Sequence, residues 1–301
     1  MVCSQLMKTG IKDSSLLAWG LLLFLSLVWG SSFILIKKSL VSYSADQVAA
    51  GRIVFAFLAF LPLLIKKYKD VDRQSLLPLI IVGICGSGLP ATLYAIAQTQ
   101  ISSSVAGLLN ALTPIFAFIL AVTLFGKKFK WQQLLGITLG FLGTLFIFFS
   151  RSDGNEQFPV FFGLLIVLAT FCYGVSANTV ASKLKGLHPL VISTLSFSVI
   201  GPWALIYLCT TDFISITLAG EANLSLMALL TLSLVGTFGA NILFFKLIQI
   251  TDAVFSSSVS FITPIVALGW GFVDGEHISL YFILALITIL SGVFLVKFSK
   301  A

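Results

Sequence analysis

The sequence is poor in charged residues. Asp, Glu, Lys and Arg make up only 10% of its 301 residues, whereas hydrophobic residues make up 58% and the mean hydropathy is +1.08. A soluble globular domain carries about 25% charged residues, because its surface has to be hydrated. The composition therefore excludes a water-soluble fold and predicts that lipid surrounds most of the chain.

The residues that build metal centres and active sites are also scarce. The two His and four Cys residues show no CxxC or CxxH spacing, and we expect the cysteines to be small buried apolar side chains. The apolar runs hold no concentrated set of carboxylates, histidines and cysteines, which makes a membrane-embedded enzyme a poor alternative. The sequence has no Walker motif, so the chain itself does not drive transport with ATP. We expect no cofactor, no bound metal and no enzymatic activity.

The apolar residues fall into ten runs of the length that a transmembrane helix requires. About 20 residues cross the roughly 30 Å of hydrocarbon in a bilayer. The runs are too long for barrel strands and do not alternate in polarity, so we predict an all-α integral membrane protein. The ten predicted transmembrane helices are Ser14–Ile36, Ala45–Ile65, Leu76–Thr99, Ser102–Phe125, Trp131–Phe149, Pro159–Val180, Pro189–Cys209, Leu224–Ile248, Ala253–Val273 and Ile278–Val296.

The basic residues predict which side of the membrane each loop faces. With a cytoplasmic N-terminus and ten spans, only Lys37, Lys38 and Arg151 of the 18 Lys and Arg residues lie outside the cell, and Arg52 lies within a span. An excess of Lys and Arg on the cytoplasmic side is the usual bias of membrane proteins. Both termini are therefore predicted to be cytoplasmic. Because the basic clusters act as topology signals, the net charge of +7 does not indicate nucleic-acid binding.

The two halves of the sequence resemble each other. A shift of 150 residues places Gly86–Ile115 on Gly236–Ile265 without a gap and aligns two Thr-Pro-Ile segments. We predict two five-helix repeats, at residues 14–150 and 159–298. Because five is an odd number, the second repeat enters the membrane from the opposite side. Inverted repeats of this kind are common in secondary transporters, where they allow alternating access.

Short motifs give the sequence a resemblance to a known family. They are Trp-Gly-Ser-Ser-Phe at Trp29–Phe33, Arg52, the two Thr-Pro-Ile segments and Gly275-Glu276. In this order they resemble the EamA-domain branch of the drug/metabolite transporter superfamily, from about Leu16 to Phe298. The resemblance implies a ten-helix secondary carrier in the cytoplasmic membrane, often an exporter of amino acids or other metabolites. Gly126-Lys127 departs from the family's Gly-Glu pair, so any role for that glutamate rests on Glu276 alone.

Arg52 is the strongest candidate for substrate binding. It lies about a third of the way into the second span, where a guanidinium exposed to lipid costs several kcal/mol. Its planar guanidinium group is suited to binding a carboxylate or a phosphate through two parallel hydrogen bonds. The alternatives are structural: a pair with Asp46, a bond to helix-end carbonyls, or a side chain that snorkels to the outer surface.

Uncharged polar and aromatic residues near the middle of the spans are further candidates. A buried amide or hydroxyl needs a partner, which either a substrate cavity or a neighbouring helix supplies. Pro114 and Pro264 free the carbonyls of Asn110 and Ser260 from their helix bonds and predict broken helices in both halves. The proposed substrate-binding set is Trp29, Arg52, Tyr94, Asn110, Tyr173, Asn178, Asn241 and Ser257.

Two charged segments at the span ends are expected to be structural. Lys246 and Asp252 lie six residues apart across a turn, and a loop salt bridge is favoured over a coupling site in which Asp252 carries a proton. The segment Asp274–His277 lacks a further ligand at helical spacing, so we expect a solvated loop rather than a metal site.

The leading function is export of a small-molecule substrate, such as an amino acid, across the lipid bilayer. A carrier of sugars, nucleotide-sugars or lipid-linked substrates is the alternative within transport, and a more basic cavity would mark it. A channel is disfavoured, because rings of charge or carbonyls usually require an oligomer. The sequence leaves open whether the protein is a monomer or a homodimer.

Overall fold

The computed structural model describes residues 2–67, 72–101, 103–149, 159–273 and 280–297. Within these ranges every regular element is helical, which confirms an all-α fold. The α-helices are α1 (Val2–Ser39), α2 (Ala45–Lys67), α3 (Arg73–Gly83), α4 (Leu89–Ala97), α5 (Ser103–Asn110), α6 (Thr113–Thr123), α7 (Trp131–Phe149), α8 (Val160–Lys183), α9 (Pro189–Thr210), α10 (Phe213–Leu218), α11 (Asn223–Ser233), α12 (Ala240–Ile250), α13 (Ala253–Ser257), α14 (Val259–Val273) and α15 (Leu280–Lys297). The Asp274–His277 segment, with Gly275 and Glu276, lies outside the described residues.

The helices are long and apolar enough to span a bilayer. Counted over the described residues alone, seven stretches meet this standard: Ser15–Ser39, Ala45–Leu64, Arg73–Ala97, Val105–Thr123, Val160–Lys183, Pro189–Thr210 and Asn223–Ile250. The three remaining predicted spans fall on α7, on α13 with α14, and on α15. The chain is therefore an integral membrane protein, while the total of ten spans and the cytoplasmic termini stay predictions.

Two of the long stretches contain a π-helical segment near their middle. Ile84–Gly88 joins α3 to α4, and Leu234–Gly239 joins α11 to α12. The first residues of these segments are aligned by the 150-residue shift that relates the two halves of the sequence. Single π turns inside α-helices are frequent at functional sites, because they change the direction of nearby side chains.

Helix contacts between the two halves of the chain come in matched pairs. α1 packs on α14, and in the other half α8 packs on α6. In the same way α1 contacts α11 and α12, while α8 contacts α3 and α4. α2 packs on α9 and α7 packs on α15. These contacts interlock the halves instead of leaving them as separate bundles.

Glycine backbones form the contact between α7 and α15. A Cβ atom added at Gly292 would lie 2.5 Å from the carbonyl oxygen of Gly136 and 2.6 Å from the nitrogen of Gly140. Gly136 and Gly140 are four residues apart and so share one helix face. Small residues allow this close approach, which is the usual way in which membrane helices pack without a hydrophobic driving force.

Polar and aromatic side chains join the α1–α2 turn to the segment around α10 at one end of the bundle. Gln47 Nε2 donates a hydrogen bond to Asp212 Oδ1 at 2.6 Å. The Tyr43 ring stacks on Phe213, with the ring centroids 4.7 Å apart. These contacts hold the first pair of helices to α9 and α10 at this end.

Candidate substrate-binding site

A cavity lies inside the helix bundle. The space between its lining atoms, counted together with its opening to solvent, is about 790 Å³. Both halves of the chain supply its walls, through α1, α2, α4, α5, α6, α8, α12, α13 and α14. The structure brings seven of the residues proposed from the sequence to this cavity: Trp29, Arg52, Tyr94, Asn110, Tyr173, Asn241 and Ser257.

Arg52 reaches the cavity from α2 and is half-buried. Its Nε donates a hydrogen bond to Thr237 Oγ1 at 2.7 Å, which ties α2 to the second π segment. The pair with Asp46 considered from the sequence does not form, because Asp46 Oδ2 instead accepts a hydrogen bond from the Tyr207 hydroxyl at 3.0 Å. Among the described residues, Arg52 has no carboxylate partner.

Two tyrosines lie in the cavity wall near Arg52. The Tyr94 ring stacks with the Tyr173 ring at a centroid distance of 6.2 Å. The Tyr94 hydroxyl donates to Asn110 Oδ1 at 2.7 Å and so joins α4 to α5. The Tyr173 hydroxyl has no hydrogen-bond partner among the residues that the structure describes. It is therefore free to donate to a molecule in the cavity.

Trp29 forms an aromatic wall of the cavity. Its Nε1 donates to the carbonyl oxygen of Gly236 at 2.9 Å, and its ring meets the Phe244 ring edge-on at 4.9 Å. The hydrogen bond satisfies the indole N–H and uses a carbonyl of the second π segment. Trp29 is thus fixed in orientation, as a preformed binding surface requires.

Each π segment packs a glycine against a serine at corresponding places in the two halves. A Cβ atom at Gly86 would lie 2.6 Å from Ser176 Oγ, and one at Gly236 would lie 3.0 Å from Ser32 Oγ. Both serines line the cavity. The sequence contained a signal for them, because they end the matching Trp-Gly-Ser-Ser and Tyr-Gly-Val-Ser segments. The sequence analysis used Trp29–Phe33 for the family resemblance and did not propose either serine as a site residue.

The two prolines do not break their helices in the same way. Pro114 lies in the first turn of α6, after a break at residues 111–112. Pro264 lies inside α14, and the break in this half is at Ser258. Both halves therefore contain a break, but the two breaks lie at different positions relative to their prolines. The cause is the serine run, because the hydroxyls of residues 256–258 bond to carbonyls of their own turn and compete with the helix bonds.

Threonine hydroxyls occupy the carbonyls that the prolines free. Thr113 Oγ1 donates to the Asn110 carbonyl oxygen at 2.8 Å, and Thr263 Oγ1 donates to the Ser260 carbonyl oxygen at 3.0 Å. Each threonine directly precedes its proline. The Thr-Pro pairs thus supply their own replacement for the lost backbone donor, a role that the sequence analysis missed.

Two residues singled out from the sequence lie elsewhere in the fold. Asn178 Nδ2 donates to the carbonyl oxygens of Ala117 and Gly174, at 2.8 and 2.9 Å, so it joins α8 to α6 and is not among the cavity-lining residues. Asp252 caps α13 by accepting a hydrogen bond from the Phe255 N–H at 2.8 Å. The expected salt bridge with Lys246 is not formed, and the Asp252 carboxylate is engaged in the helix cap instead.

The fold and the cavity together define a multi-pass membrane protein with an internal cavity lined by aromatic and polar side chains. The sequence profile of the EamA-like transporter family matches residues 16–149 and 161–298. The chain therefore belongs to this family, as its motifs indicated, and it is a multi-pass protein of the inner membrane. The family is one of transporters of small metabolites, and the relatives named below are transporters.

Individual relatives are distant in sequence. The chain is 24% identical over 261 residues to an S-adenosylmethionine/S-adenosylhomocysteine transporter of Chlamydia trachomatis serovar L2, with 83% of this chain and 80% of the relative covered. It is 25% identical over 294 residues to the uncharacterized inner membrane transporter YedA of Escherichia coli K12, with 94% and 91% covered. One solved crystal structure matches with a TM-score of 0.69 and 15% identity, over 94% of this chain and 96% of that one. That match shows a shared fold.

Proposed function

We propose that this chain is a secondary active transporter that exports amino acids or related small metabolites by alternating access. The observation that carries the proposal is Arg52, a guanidinium with no carboxylate partner among the described residues, in the wall of an internal cavity. A cation in this position needs an anionic partner or water. A substrate carboxylate supplies the partner in a bidentate geometry.

Alternating access is supported by the relation between the two halves of the chain. The aligned π segments, the glycine–serine contacts beside them and the matched helix pairs are what a pseudo-two-fold axis in the membrane plane produces. Two inverted repeats at residues 14–150 and 159–298 are capable of exchanging conformations. The exchange opens the cavity first to one side of the membrane and then to the other.

The residues proposed to bind the substrate have different roles. Arg52 and the free hydroxyl of Tyr173 bind the carboxylate. Trp29 and Phe244 offer an aromatic surface to an apolar or ring-shaped group. Asn241 and Ser257 offer neutral hydrogen-bonding groups to the rest of the molecule.

A second candidate substrate comes from the chlamydial relatives, whose name assigns them S-adenosylmethionine and S-adenosylhomocysteine. Both molecules combine an amino-acid carboxylate with a flat purine ring, and the cavity offers a cation and aromatic walls. Sugars, nucleotide-sugars and lipid-linked substrates are less favoured. Their phosphates call for a strongly basic cavity, and Arg52 is the one basic residue among the described lining residues.

The test is counterflow of labelled compounds into liposomes that contain the purified protein. Amino acids, their N-acyl and 2-hydroxy analogues, and S-adenosylmethionine and S-adenosylhomocysteine are compared as internal and external substrates. We expect saturable counterflow for carboxylates, and a loss of about tenfold or more in Arg52→Gln, because a buried charge-assisted pair is removed.

Arg73→Gln is the matched control, since it makes the same change of charge at the exposed start of α3. Its counterflow should equal that of the unsubstituted protein. Equal losses of counterflow in both variants would show that Arg52 acts through the net charge of the protein and does not bind the substrate carboxylate. No counterflow of any compound would refute the proposed function.

A further inference from the structure

The described residues that line the cavity carry one charge. Arg52 is the charged member of this lining, and none of its residues is Asp or Glu. A zwitterionic amino acid brings an ammonium group as well as a carboxylate into the same space. An ammonium close to Arg52 is repelled, and it loses its water shell without gaining a counter-charge.

The amide oxygen of Asn110 and two carbonyl oxygens at the broken helices already accept hydrogen bonds. Asn110 Oδ1 accepts from the Tyr94 hydroxyl at 2.7 Å, and the Asn110 carbonyl accepts from Thr113 at 2.8 Å. The Ser260 carbonyl accepts from Thr263 at 3.0 Å. Carbonyls at broken helices are the groups that bind cations in many transporters, and here the carbonyls of Asn110 and Ser260 each accept a hydrogen bond already.

Donor groups, in contrast, are left open. The Arg52 Nε donates a hydrogen bond to Thr237, and Arg52 has no other hydrogen-bond partner among the described residues. Its two terminal nitrogens are therefore available to a ligand. The Tyr173 hydroxyl is a further open donor. The oxygens that stay open are neutral: the amide oxygen of Asn241 and the hydroxyls of the serines. The cavity therefore offers a charged donor to an anion, whereas a cation meets only neutral groups.

We infer that the cargo is a net anion: a carboxylate without a free ammonium group, such as an N-acylated amino acid or a 2-hydroxy acid. This inference rests on the proposed function and narrows its substrate class. The carboxylate neutralises Arg52, so the loaded cavity is uncharged while it moves between its two openings. An acylated nitrogen or a hydroxyl requires only the neutral partners that Asn241 and the serines provide.

The experiment compares three compounds of one carbon skeleton: methionine, N-acetylmethionine and methioninamide. Each competes for counterflow of labelled N-acetylmethionine in liposomes that contain the full chain, and each is tested for thermal stabilisation of the purified protein. We expect N-acetylmethionine to half-saturate transport at a concentration about tenfold or more below that of methionine. Methioninamide, which has an ammonium and no carboxylate, should neither compete nor stabilise.

A charge placed in the cavity supplies the second test. Asn241→Asp adds a carboxylate of nearly the same shape, either to pair with an ammonium or to neutralise Arg52. Its preference for N-acetylmethionine over methionine should fall about tenfold, to near parity. The control is Asn223→Asp, which makes the same change at the exposed N-terminus of α11 and should keep the original preference.

The outcomes separate the inference from the proposed function. Saturable flux in which methionine binds as tightly as N-acetylmethionine overturns the inference and leaves a carboxylate carrier standing. A folded Asn241→Asp variant that keeps the tenfold preference overturns it as well. If no compound gives flux or thermal stabilisation, the proposed function is refuted, and so is the inference that rests on it.

Discussion

Replacing Gly292 by alanine should destabilise the α7–α15 pair more than an alanine at an open helical glycine does. The new Cβ would lie 2.5 Å from Gly136 O and 2.6 Å from Gly140 N, both of them backbone atoms. Ordinary contacts of carbon are about 3.5 Å or longer, so the helices have to separate by roughly 1 Å. Neither neighbour is a side chain that can rotate away.

The expected destabilisation is the sum of two costs, overpacking and lost dispersion energy. Overpacking of a close contact typically costs about 1–3 kcal/mol, and a gap of about 1 Å forfeits up to roughly half of the dispersion energy along the interface. We expect a total near 3 kcal/mol. This corresponds to a fall in the apparent Tm on the order of 6–12 °C in detergent, measured by intrinsic fluorescence at a fixed heating rate.

Gly20→Ala is the matched control. Gly20 lies in α1 with nothing within 4 Å of its Cβ position, so alanine adds helix propensity of about 1 kcal/mol without a clash. Its Tm should stay the same or rise. Equal Tm values for the two variants would show that the glycine contact between α7 and α15 is not as close as the structure has it.

Three further substitutions test other parts of the structure. Trp29→Phe removes the hydrogen bond to Gly236 and keeps an aromatic side chain, so transport should fall about three- to tenfold and Tm by on the order of 2–4 °C; unchanged transport would contradict this. Gln47→Ala removes the bond to Asp212 and the bond from the Ser44 N–H, and it should cost about 1–2 kcal/mol, seen as a Tm lower by on the order of 2–8 °C. Gly126 has φ +61°, so Gly126→Ala should cost about 1 kcal/mol through backbone strain, although nothing crowds its Cβ; unchanged Tm would argue against that conformation.

Hydropathy alone located the helices well. The predicted span Trp131–Phe149 has the bounds of α7, and the predicted Leu76–Thr99 covers most of the stretch that runs through α3 and α4. The reason is that transfer into lipid is close to a sum over single residues, so it can be counted along the chain. The π segments were not predicted, because a shift of hydrogen-bond partner by one residue leaves the composition of a helix unchanged.

The asparagines show where sequence reasoning about the site stopped. Asn110, Asn178 and Asn241 look alike in the sequence, each a single amide in an apolar run. In the fold, Asn110 and Asn241 line the cavity, whereas Asn178 bonds to the backbone of α6. A buried amide is obliged to find partners, but its own sequence does not say whether a helix or a substrate provides them.

The sequence by itself determined that this protein lies in the membrane, where its helices run and which polar residues are costly enough there to need an explanation. Those are properties of single residues and of their spacing. Only the tertiary structure decided that Arg52 bonds to Thr237 and not to Asp46, and that Thr113 and Thr263 occupy the carbonyls freed by the prolines. Hydrogen bonds extend about 3 Å and depend on direction. Which groups meet is therefore fixed by how distant helices pack.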